Sequence, residues 1–312
     1  MTSMPFYLEL ISGFALCVML GANNLSTCLG TSVGAGALRY RQALALASVG
    51  LLAGILLEGT KLSHAIASGI VSSTNPGFTL AVAASSFVIM AFLTFRKLPI
   101  SLSQVAIGAA VGAAFALGIP VNWRFTVLVA SSWLLTPLAG LTLAIGLTLI
   151  TKAITKRVRR VLTLNALYAY LTIFSGIYAA YTLGANTVGL IIGMVDSAGI
   201  EPLTSIGLGF ATILGMVMLS KATTRSVSEN IVGLSPSASF AAQMGGALTV
   251  HGFTEAGIPV SVSQAVVGGV FGAAIPRKIV VRNNRLIWEI IIGWTVAPLL
   301  GAVLAFLFAG LV

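Results

Sequence analysis

Ten apolar stretches, separated by short polar or charged segments, make up most of the chain. Most of them approach or exceed the roughly 20 residues that an α-helix needs to cross a bilayer. The pattern predicts an all-α integral membrane protein with roughly 10 to 12 membrane segments. In chain order, the stretches are residues 6–36, 42–57, 78–95, 99–122, 124–150, 161–195, 203–219, 237–252, 258–275 and 286–311.

The polar interruptions of these stretches occur twice in the same order, 160 to 163 residues apart. One match could arise by chance, but three matches in constant order indicate an internal repeat. The matched pairs are GANN at Gly21–Asn24 with GANT at Gly184–Thr187, PISLSQVAIGAAVGAA from Pro99 with PVSVSQAVVGGVFGAA from Pro259, and Trp133 and Pro137 with Trp294 and Pro298.

The repeat divides the chain into two halves of five crossings each. We predict a first repeat at residues 1–151, a basic linker at residues 152–160 (KAITKRVRR) and a second repeat at residues 161–312. Because each repeat contains an odd number of crossings, the second repeat should be inverted relative to the first. Inverted repeats with broken helices and re-entrant half helices are typical of secondary transporters.

Charges near the repeated motifs support this inversion. Basic Arg39 and Arg41 follow GANN, whereas acidic Asp196 and Glu201 follow GANT. Cytoplasmic loops carry an excess of Lys and Arg, so equivalent loops of antiparallel copies should differ in charge. This rule places the linker in the cytoplasm and both termini outside. The other contrasts are Arg96 and Lys97 against Glu255, and Arg124 against Arg277, Lys278, Arg282 and Arg285.

The composition excludes several other classes of protein. The chain is 57% hydrophobic and only 8% charged, whereas a soluble domain has about 25% charged residues. Lipid must therefore cover most of its outer surface. The net charge of +10 could indicate nucleic acid, but no basic soluble region exists to bind it. No catalytic triad order, paired carboxylates, metal-spaced cluster or nucleotide fingerprint is present. We predict no enzyme activity and no organic cofactor.

The repeated PxSxSQ motif predicts the start of a helix, since Pro followed by Ser is typical of a first turn. A helix start inside the bilayer has four unpaired N–H groups and about half a positive charge, so it can bind an anion. The alternative is a pair of ordinary helix caps at the membrane interface. The neutral donors of the two motifs are Ser101, Ser103, Gln104, Ser261, Ser263 and Gln264.

The GANN and GANT motifs predict interruptions of their helices near the middle of the bilayer. Buried amides there need partners, which could be a substrate or a coupling ion. The alternative is polar packing between helices. The candidate residues are Asn23, Asn24, Asn186 and Thr187, and Thr31 and Ser32 continue the polar segment in the first copy only.

Isolated ionisable residues give weaker signals. Glu58 ends an apolar stretch and is the best placed acid for proton coupling; the alternative is a solvated helix end. His64 and His251 are interpreted as lone histidines at the membrane interface. Cys17 and Cys28 lie in apolar surroundings, so neither a disulfide nor a zinc site is expected.

These motifs resemble those of the inorganic phosphate transporter (PiT) family, which are GANDVANAxGTSVG, GANDVANAIGP and two copies of PVSTTH. Here the first motif reads GANNLSTCLGTSVG and is followed by RQALALA. The segment Glu229–Ala241 (ENIVGLSPSASFA) is similar to the family's EKITGLTPxxGFA. The resemblance implies cation-coupled uptake of an oxyanion by alternating access. The anion and sodium sites that it implies involve Asn23, Ser101, Ser103, Asn186, Ser261 and Ser263.

Four residues depart from the family motifs and leave the substrate open. The family Asp is Asn24 in one copy and Thr187 in the other, and the family His is Gln104 or Gln264. A carboxylate can accept a hydrogen bond from a protonated phosphate. It would repel sulfate, which carries no proton. Sulfate permeases related to the family exist, so both oxyanions remain candidates.

The same departures leave the coupling ion open. Without the family carboxylates, a Na⁺ site would be weaker, and H⁺ is the alternative. No metal other than bound Na⁺ is implied. A passive anion channel of the same fold is the alternative function, and the sequence leaves a homodimer open. The candidate residues are Asn23, Thr31, Ser32 and Asn186 for Na⁺ and Glu58 for H⁺.

Overall fold

A computed structural model describes residues 4–96, 100–195, 202–224, 235–278 and 284–311 of the protein. These residues are almost entirely helical, as the apolar stretches predict. The helices are α1 (Met4–Gly34), α2 (Tyr40–Glu58), α3 (Pro76–Phe95), α4 (Leu102–Leu117), α5 (Trp123–Thr155), α6 (Val161–Leu183), α7 (Gly189–Val195), α8 (Pro202–Leu219), α9 (Pro236–Glu255), α10 (Val262–Ala274) and α11 (Asn284–Ala309).

Each predicted apolar stretch coincides with a helix or, at residues 161–195, with α6 and α7 joined by a π turn. Helix α4 ends earlier than predicted because Gly118, at φ 67°, closes it in the left-handed conformation. Two short elements that follow α2 were not predicted, a 3₁₀ turn at Gly59–Leu62 and a π turn at Ala65–Ile70.

Six helical segments in the described ranges are long and apolar enough to cross a membrane. Helices α4 and α10, with 16 and 13 residues, are not among them. At about 1.5 Å per residue, each falls short of the ~30 Å hydrocarbon core. Both helices have the length of the half helices that the predicted repeat architecture includes. The six segments are Tyr7–Gly34, Tyr40–Leu62, Pro76–Phe95, Trp123–Thr155, Val161–Val195 and Ile291–Ala309.

The predicted interruption at GANN is wrong, because α1 continues through Gly21–Asn24 as a regular helix. Two polar side chains here bond to their own helix: the Ser26 hydroxyl donates to the Asn23 carbonyl at 2.6 Å, and the Asn24 amide donates to the Leu20 carbonyl at 3.3 Å. Such local bonds satisfy polar groups without opening the backbone. At GANT the helix does change, with a π turn at Gly184–Val188.

Close helix contacts recur in equivalent pairs. A Cβ on Gly108 of α4 would overlap the carbonyl oxygen of Pro298 in α11, and a Cβ on Gly268 of α10 would overlap that of Pro137 in α5. Glycine at both positions lets the two backbones touch, as small residues do in other membrane helices. Each short helix therefore packs against the last helix of the other half.

Helices near the start of each half also pack closely against helices of the other half. Gly21 of α1 lies against the carbonyl of Thr212 in α8, and Gly184 lies against the carbonyl of Leu51 in α2. The two halves are thus interlocked rather than side by side. The division into repeats at residues 1–151 and 161–312 stays a prediction.

The orientation of the repeats in the membrane stays a prediction. The predicted linker, residues 152–160, comprises the last turn of α5 and the connection to α6. Several residues used in the sequence argument lie outside the described structure, namely Lys97, Pro99, Asp196, Glu201, Glu229, Arg282 and the side chain of Arg285.

Candidate functional site

The two PxSxSQ motifs begin α4 and α10, as predicted. The Ser101 hydroxyl accepts a hydrogen bond from the Gln104 N–H at 3.4 Å, and the Ser261 hydroxyl accepts one from the Gln264 N–H at 3.1 Å. Each serine is thus an N-cap, with an extended backbone before the first turn. The earlier N–H groups of each helix have no partner within the helix itself.

The two helix starts meet inside the protein. The Ser103 hydroxyl donates to the carbonyl of Val260, at 2.9 Å, just before the cap of α10. Hydroxyl pairs connect Ser101 with Ser103 at 3.1 Å and Ser261 with Ser263 at 3.0 Å. All four serines and both glutamines are 1–3% exposed. The two caps are therefore buried rather than solvated, and we call these six residues the central site.

Two asparagines hold the segments that lead into these helices. The Asn23 side chain accepts from the Ile100 N–H at 3.0 Å and donates to the Thr94 hydroxyl at 3.1 Å. The Asn186 side chain donates to the Thr254 hydroxyl at 2.9 Å. Asn23 therefore lies next to the central site, and Asn186 makes the equivalent bond to a threonine in the second half.

Thr94 and Thr254 were missed in the sequence. Each lies five residues before the proline of its PxSxSQ motif, so the internal repeat itself carried the signal. Asn24 and Thr187 follow the two asparagines and are buried, 3% and 4% exposed.

Three amide oxygens near the central site are buried without a hydrogen-bond partner in the part of the chain that the structure describes: Oε1 of Gln104, Oε1 of Gln264 and Oδ1 of Asn186. A buried polar group without a partner costs about 1–3 kcal/mol, and native proteins leave few of them. Because the O and NH₂ of an amide can exchange by rotation, each side chain can offer an acceptor or a donor to a ligand.

A model of the phosphate transporter family matches residues 20–305 of the chain. This protein belongs to that family. The resemblance seen in the motifs is thereby confirmed, and so is the prediction that the protein is a membrane transporter rather than an enzyme.

Individual relatives cover nearly the whole transporter. A Methanocaldococcus jannaschii protein named "Putative phosphate permease" is 30% identical over 300 residues, which cover 96% of this chain and 95% of that one. The Arabidopsis thaliana protein "Inorganic phosphate transporter 2-1, chloroplastic" is 21% identical, over 98% of this chain and 72% of its own.

A solved structure titled "The sodium-dependent phosphate transporter" shares the fold. Its TM-score against the transporter is 0.87 at 20% sequence identity, with 99% of both chains covered. The likeness extends to the full arrangement of helices described above.

A second polar cluster surrounds Gln243 of α9. The amide oxygen of Gln243 accepts from the hydroxyls of Ser32, at 3.1 Å, and Ser175, at 3.0 Å. Its NH₂ group donates to the Cys28 carbonyl at 3.0 Å, and Ser32 also reaches the Thr172 carbonyl at 3.4 Å. We call these five residues the Gln243 cluster.

The Gln243 cluster contains one of the residues predicted for the coupling ion, Ser32, together with partners that the sequence did not reveal. Gln243 is a single amide in an apolar helix, with no repeated motif around it. Thr31 is also buried, and its hydroxyl has no partner among the described residues.

A third cluster, the ionic network, joins Glu58, Lys61, His251 and Glu255. The Nε2 atom of His251 lies 3.2 Å from Oε2 of Glu58 and 3.1 Å from Oε1 of Glu255. The Lys61 ammonium contacts both carboxylates, at 3.4 Å for Glu58. The Tyr178 hydroxyl bonds to Nδ1 of His251. Neither a solvated end for Glu58 nor a lone interface position for His251 is therefore correct.

The ionic network brings together two carboxylates and an imidazole from distant parts of the chain, a group that sequence spacing does not reveal. Ligand atoms of Glu58, His251 and Glu255 all lie within 4.8 Å of one another. The Lys61 ammonium already contacts both carboxylates, however, and supplies the positive charge that a metal would bring. Its hydrogen bond lowers the pKa of the Glu255 carboxyl, and the bond from His251 lowers it further.

Proposed function

We propose that this transporter takes up inorganic phosphate across a membrane, driven by a cation gradient. The observation that carries the proposal is the meeting of two buried helix starts, where Ser103 of α4 touches Val260 at the start of α10. An anion between them would face two positive helix ends and neutral hydroxyl donors. Its substrate-binding residues would be Asn23, Asn24, Ser101, Ser103, Gln104, Asn186, Thr187, Ser261, Ser263 and Gln264.

The unpaired amide oxygens favour phosphate over sulfate. Near neutral pH phosphate carries one or two protons, so it can donate hydrogen bonds to the oxygens of Gln104, Gln264 and Asn186. Sulfate carries none and would leave the same oxygens unpaired. The names of the relatives also point to phosphate.

Sulfate is a second candidate on one specific observation. The positions that carry a carboxylate in the family motifs hold Asn24 and Thr187 here, and both are buried. Rotated amides and serine hydroxyls would present only neutral donors, which suits a fully deprotonated oxyanion.

Sodium is the coupling ion that the Gln243 cluster supports. Side-chain oxygens of Gln243, Ser32 and Ser175 lie with the carbonyls of Cys28 and Thr172 in one buried group. Hard cations bind such oxygen ligands. The related solved structure is titled as sodium-dependent. Asn23, Thr31 and Asn186 are further oxygen donors from the predicted set.

Alternating access would follow from the interlocked repeats. Helices α4 and α10 each start at the central site and pack through glycine on the last helix of the other half. Rocking of α4 and α10 against the surrounding helices would open the site to one side at a time. A passive anion channel would use the same fold without such coupling.

Uptake of labelled phosphate and sulfate into proteoliposomes, with Na⁺ and pH gradients varied separately, tests the proposal. We expect Na⁺-driven accumulation of phosphate, with sulfate at most a weak competitor. Uptake of neither oxyanion would refute the proposed substrate class. Flux without any cation gradient, and without counterflow, would instead identify a channel.

A further inference from the structure

An apolar groove runs along the outer surface of the transporter between α3 and α11, and we call it the α3–α11 groove. It consists of two cavities, of about 230 and 210 Å³. Its lining residues recur every three or four positions along α3, so they share one face of that helix. The larger cavity is lined by Val88, Ile89, Phe92, Leu300, Val303 and Leu304, and the smaller by Leu80, Ala81, Ala84, Phe308 and Leu311.

A positive charge lies at one end of the α3–α11 groove. Arg96 follows Phe92 by one helical turn, and its guanidinium carbon lies 5.5 Å from the centre of the Phe92 ring. The Arg96 side chain is exposed, and no carboxylate in the described part of the chain forms an ion pair with it. A guanidinium beside lipid is costly unless an anion pairs with it. The end of the groove therefore calls for an anionic partner from outside the chain.

We propose that the α3–α11 groove binds one anionic phospholipid, with the headgroup phosphate on Arg96 and an acyl chain along the groove. The Phe92 ring holds the guanidinium by a cation–π contact and leaves N–H groups at its edge free. Those N–H groups can donate two parallel hydrogen bonds to one phosphate. Basic pockets between membrane helices bind anionic headgroups in this way. The proposal is separate from the proposed anion transport.

The length and openness of the groove suit an acyl chain. From Leu80 to Phe92 it follows about 18 Å of helix, at about 1.5 Å per residue. One leaflet contributes about 15 Å of the ~30 Å hydrocarbon core. The groove is open to lipid along this length, since Val88 is 44% exposed, Phe92 57% and Val303 60%. One extended chain can therefore lie between the two helices.

A second copy of the transporter fits the groove less well than a lipid does. A symmetric dimer through this surface would bring two identical linings together. The lining residues are all apolar, so the partner's lining would offer no carboxylate to Arg96. A phospholipid supplies both the apolar chain and the negative charge.

The first test follows the thermal midpoint of the purified transporter in detergent as phosphatidylglycerol or phosphatidylcholine is added. A lipid that binds the folded protein raises the midpoint in proportion to its affinity and concentration. We expect phosphatidylglycerol, which is anionic, to stabilise the wild type more than zwitterionic phosphatidylcholine does. Arg96→Gln should weaken the apparent affinity for phosphatidylglycerol several-fold and leave the response to phosphatidylcholine unchanged.

Two further variants isolate the contribution of the guanidinium. Arg96→Lys keeps the charge but loses the two-pronged contact, so its affinity should lie between those of the wild type and Arg96→Gln. Arg124→Gln is the matched control, because Arg124 is also exposed but lines neither cavity. It should respond like the wild type. Equal responses of Arg96→Gln and Arg124→Gln to phosphatidylglycerol would overturn the headgroup contact.

The second test fills the groove. Val88→Trp places a large side chain in the larger cavity and should reduce the retention of phosphatidylglycerol, counted by native mass spectrometry. Leu134→Trp is its control, because Leu134 is 74% exposed on α5 and lines neither cavity. Equal lipid retention in these two variants would overturn the groove as the acyl-chain site. A dimer that only Val88→Trp dissociates, with lipid retention unchanged, would identify a second copy as the occupant instead. Neither test requires a transported anion, so loss of phosphate uptake would not bear on this result.

Discussion

At the scale of single residues, the central site is built from neutral groups in unusual pairs. Ser103 bonds to a backbone carbonyl of the opposite helix start, whereas Ser101 and Ser261 cap their own helices. The hydroxyls thus bind two helix starts together and remain close to any ligand between them. Serine-to-alanine changes distinguish the role of the hydroxyls in joining the helix starts from their role in contacting a ligand.

Ser103→Ala and Ser263→Ala should each weaken phosphate binding. A hydrogen bond to a charged group contributes about 1.5–3 kcal/mol, on the order of ten- to a hundred-fold in affinity. Isothermal titration of the purified variants measures the loss. Ser85→Ala is the control, because Ser85 is equally buried but bonds only to its own helix, at Val82. Unchanged affinity in both site variants would show that the Ser103 and Ser263 hydroxyls make structural contacts only.

Thr187→Asp should strengthen Na⁺ dependence and reduce competition by sulfate. Thr187 is buried in the π turn, and a carboxylate there would attract a cation and repel an oxyanion that has no proton. Uptake of phosphate against increasing Na⁺ and sulfate measures both effects. Thr187→Asn keeps the side chain neutral and should behave like the wild type; if it matches Thr187→Asp, charge is not the cause.

At the scale of helices, glycine decides which elements can touch. The half helix α10 lies so close to α5 that a Cβ on Gly268 would overlap the carbonyl of Pro137. The equivalent contact of Gly108 with Pro298 holds α4 on α11. These contacts hold α4 and α10 in position, and they therefore determine where the central site lies in the protein.

Gly268→Ala should destabilise the transporter by about 1–3 kcal/mol, the usual cost of an added group in a tight contact. It should also shift α10 and lower phosphate affinity. Thermal unfolding in detergent measures the loss of stability. Gly146→Ala is the matched control, since a Cβ there meets nothing within 4 Å. Equal stability of the two variants would contradict the close packing.

At the scale of the whole molecule, three buried or half-buried polar clusters lie along the interface between the halves. The central site joins α4 with α10, the Gln243 cluster joins α1, α6 and α9, and the ionic network joins α2, α6 and α9. Movement of one half against the other would therefore affect all three clusters.

Gln243→Leu should raise the Na⁺ concentration needed for uptake while saturating Na⁺ restores part of the rate. The change removes one oxygen from the cluster and leaves Ser32 and Ser175 without their shared acceptor. Gln243→Glu, which keeps the oxygens and adds charge, should need less Na⁺ than Gln243→Leu. Identical Na⁺ dependence in wild type and both variants would exclude this cluster as the cation site.

The sequence by itself determined the helices and the starts of α4 and α10. Apolar length and helix capping act over neighbouring residues, so they can be read directly from the chain. The same local reasoning gave a wrong prediction at GANN. There α1 is continuous, and the Asn24 and Ser26 side chains bond to carbonyls of the same helix. Internal similarity also located the central site, because the two copies carry the same motif.

Only the tertiary structure decided which distant side chains meet. Asn23 and Thr94 are 71 residues apart, Ser32 and Gln243 are 211 apart, and Glu58 and His251 are 193 apart. Such pairs depend on how closely the helices approach one another and on the direction in which each helix face points. These quantities are set by packing across the whole molecule, not by any local stretch of sequence, so His251 looked isolated until the two halves were folded together.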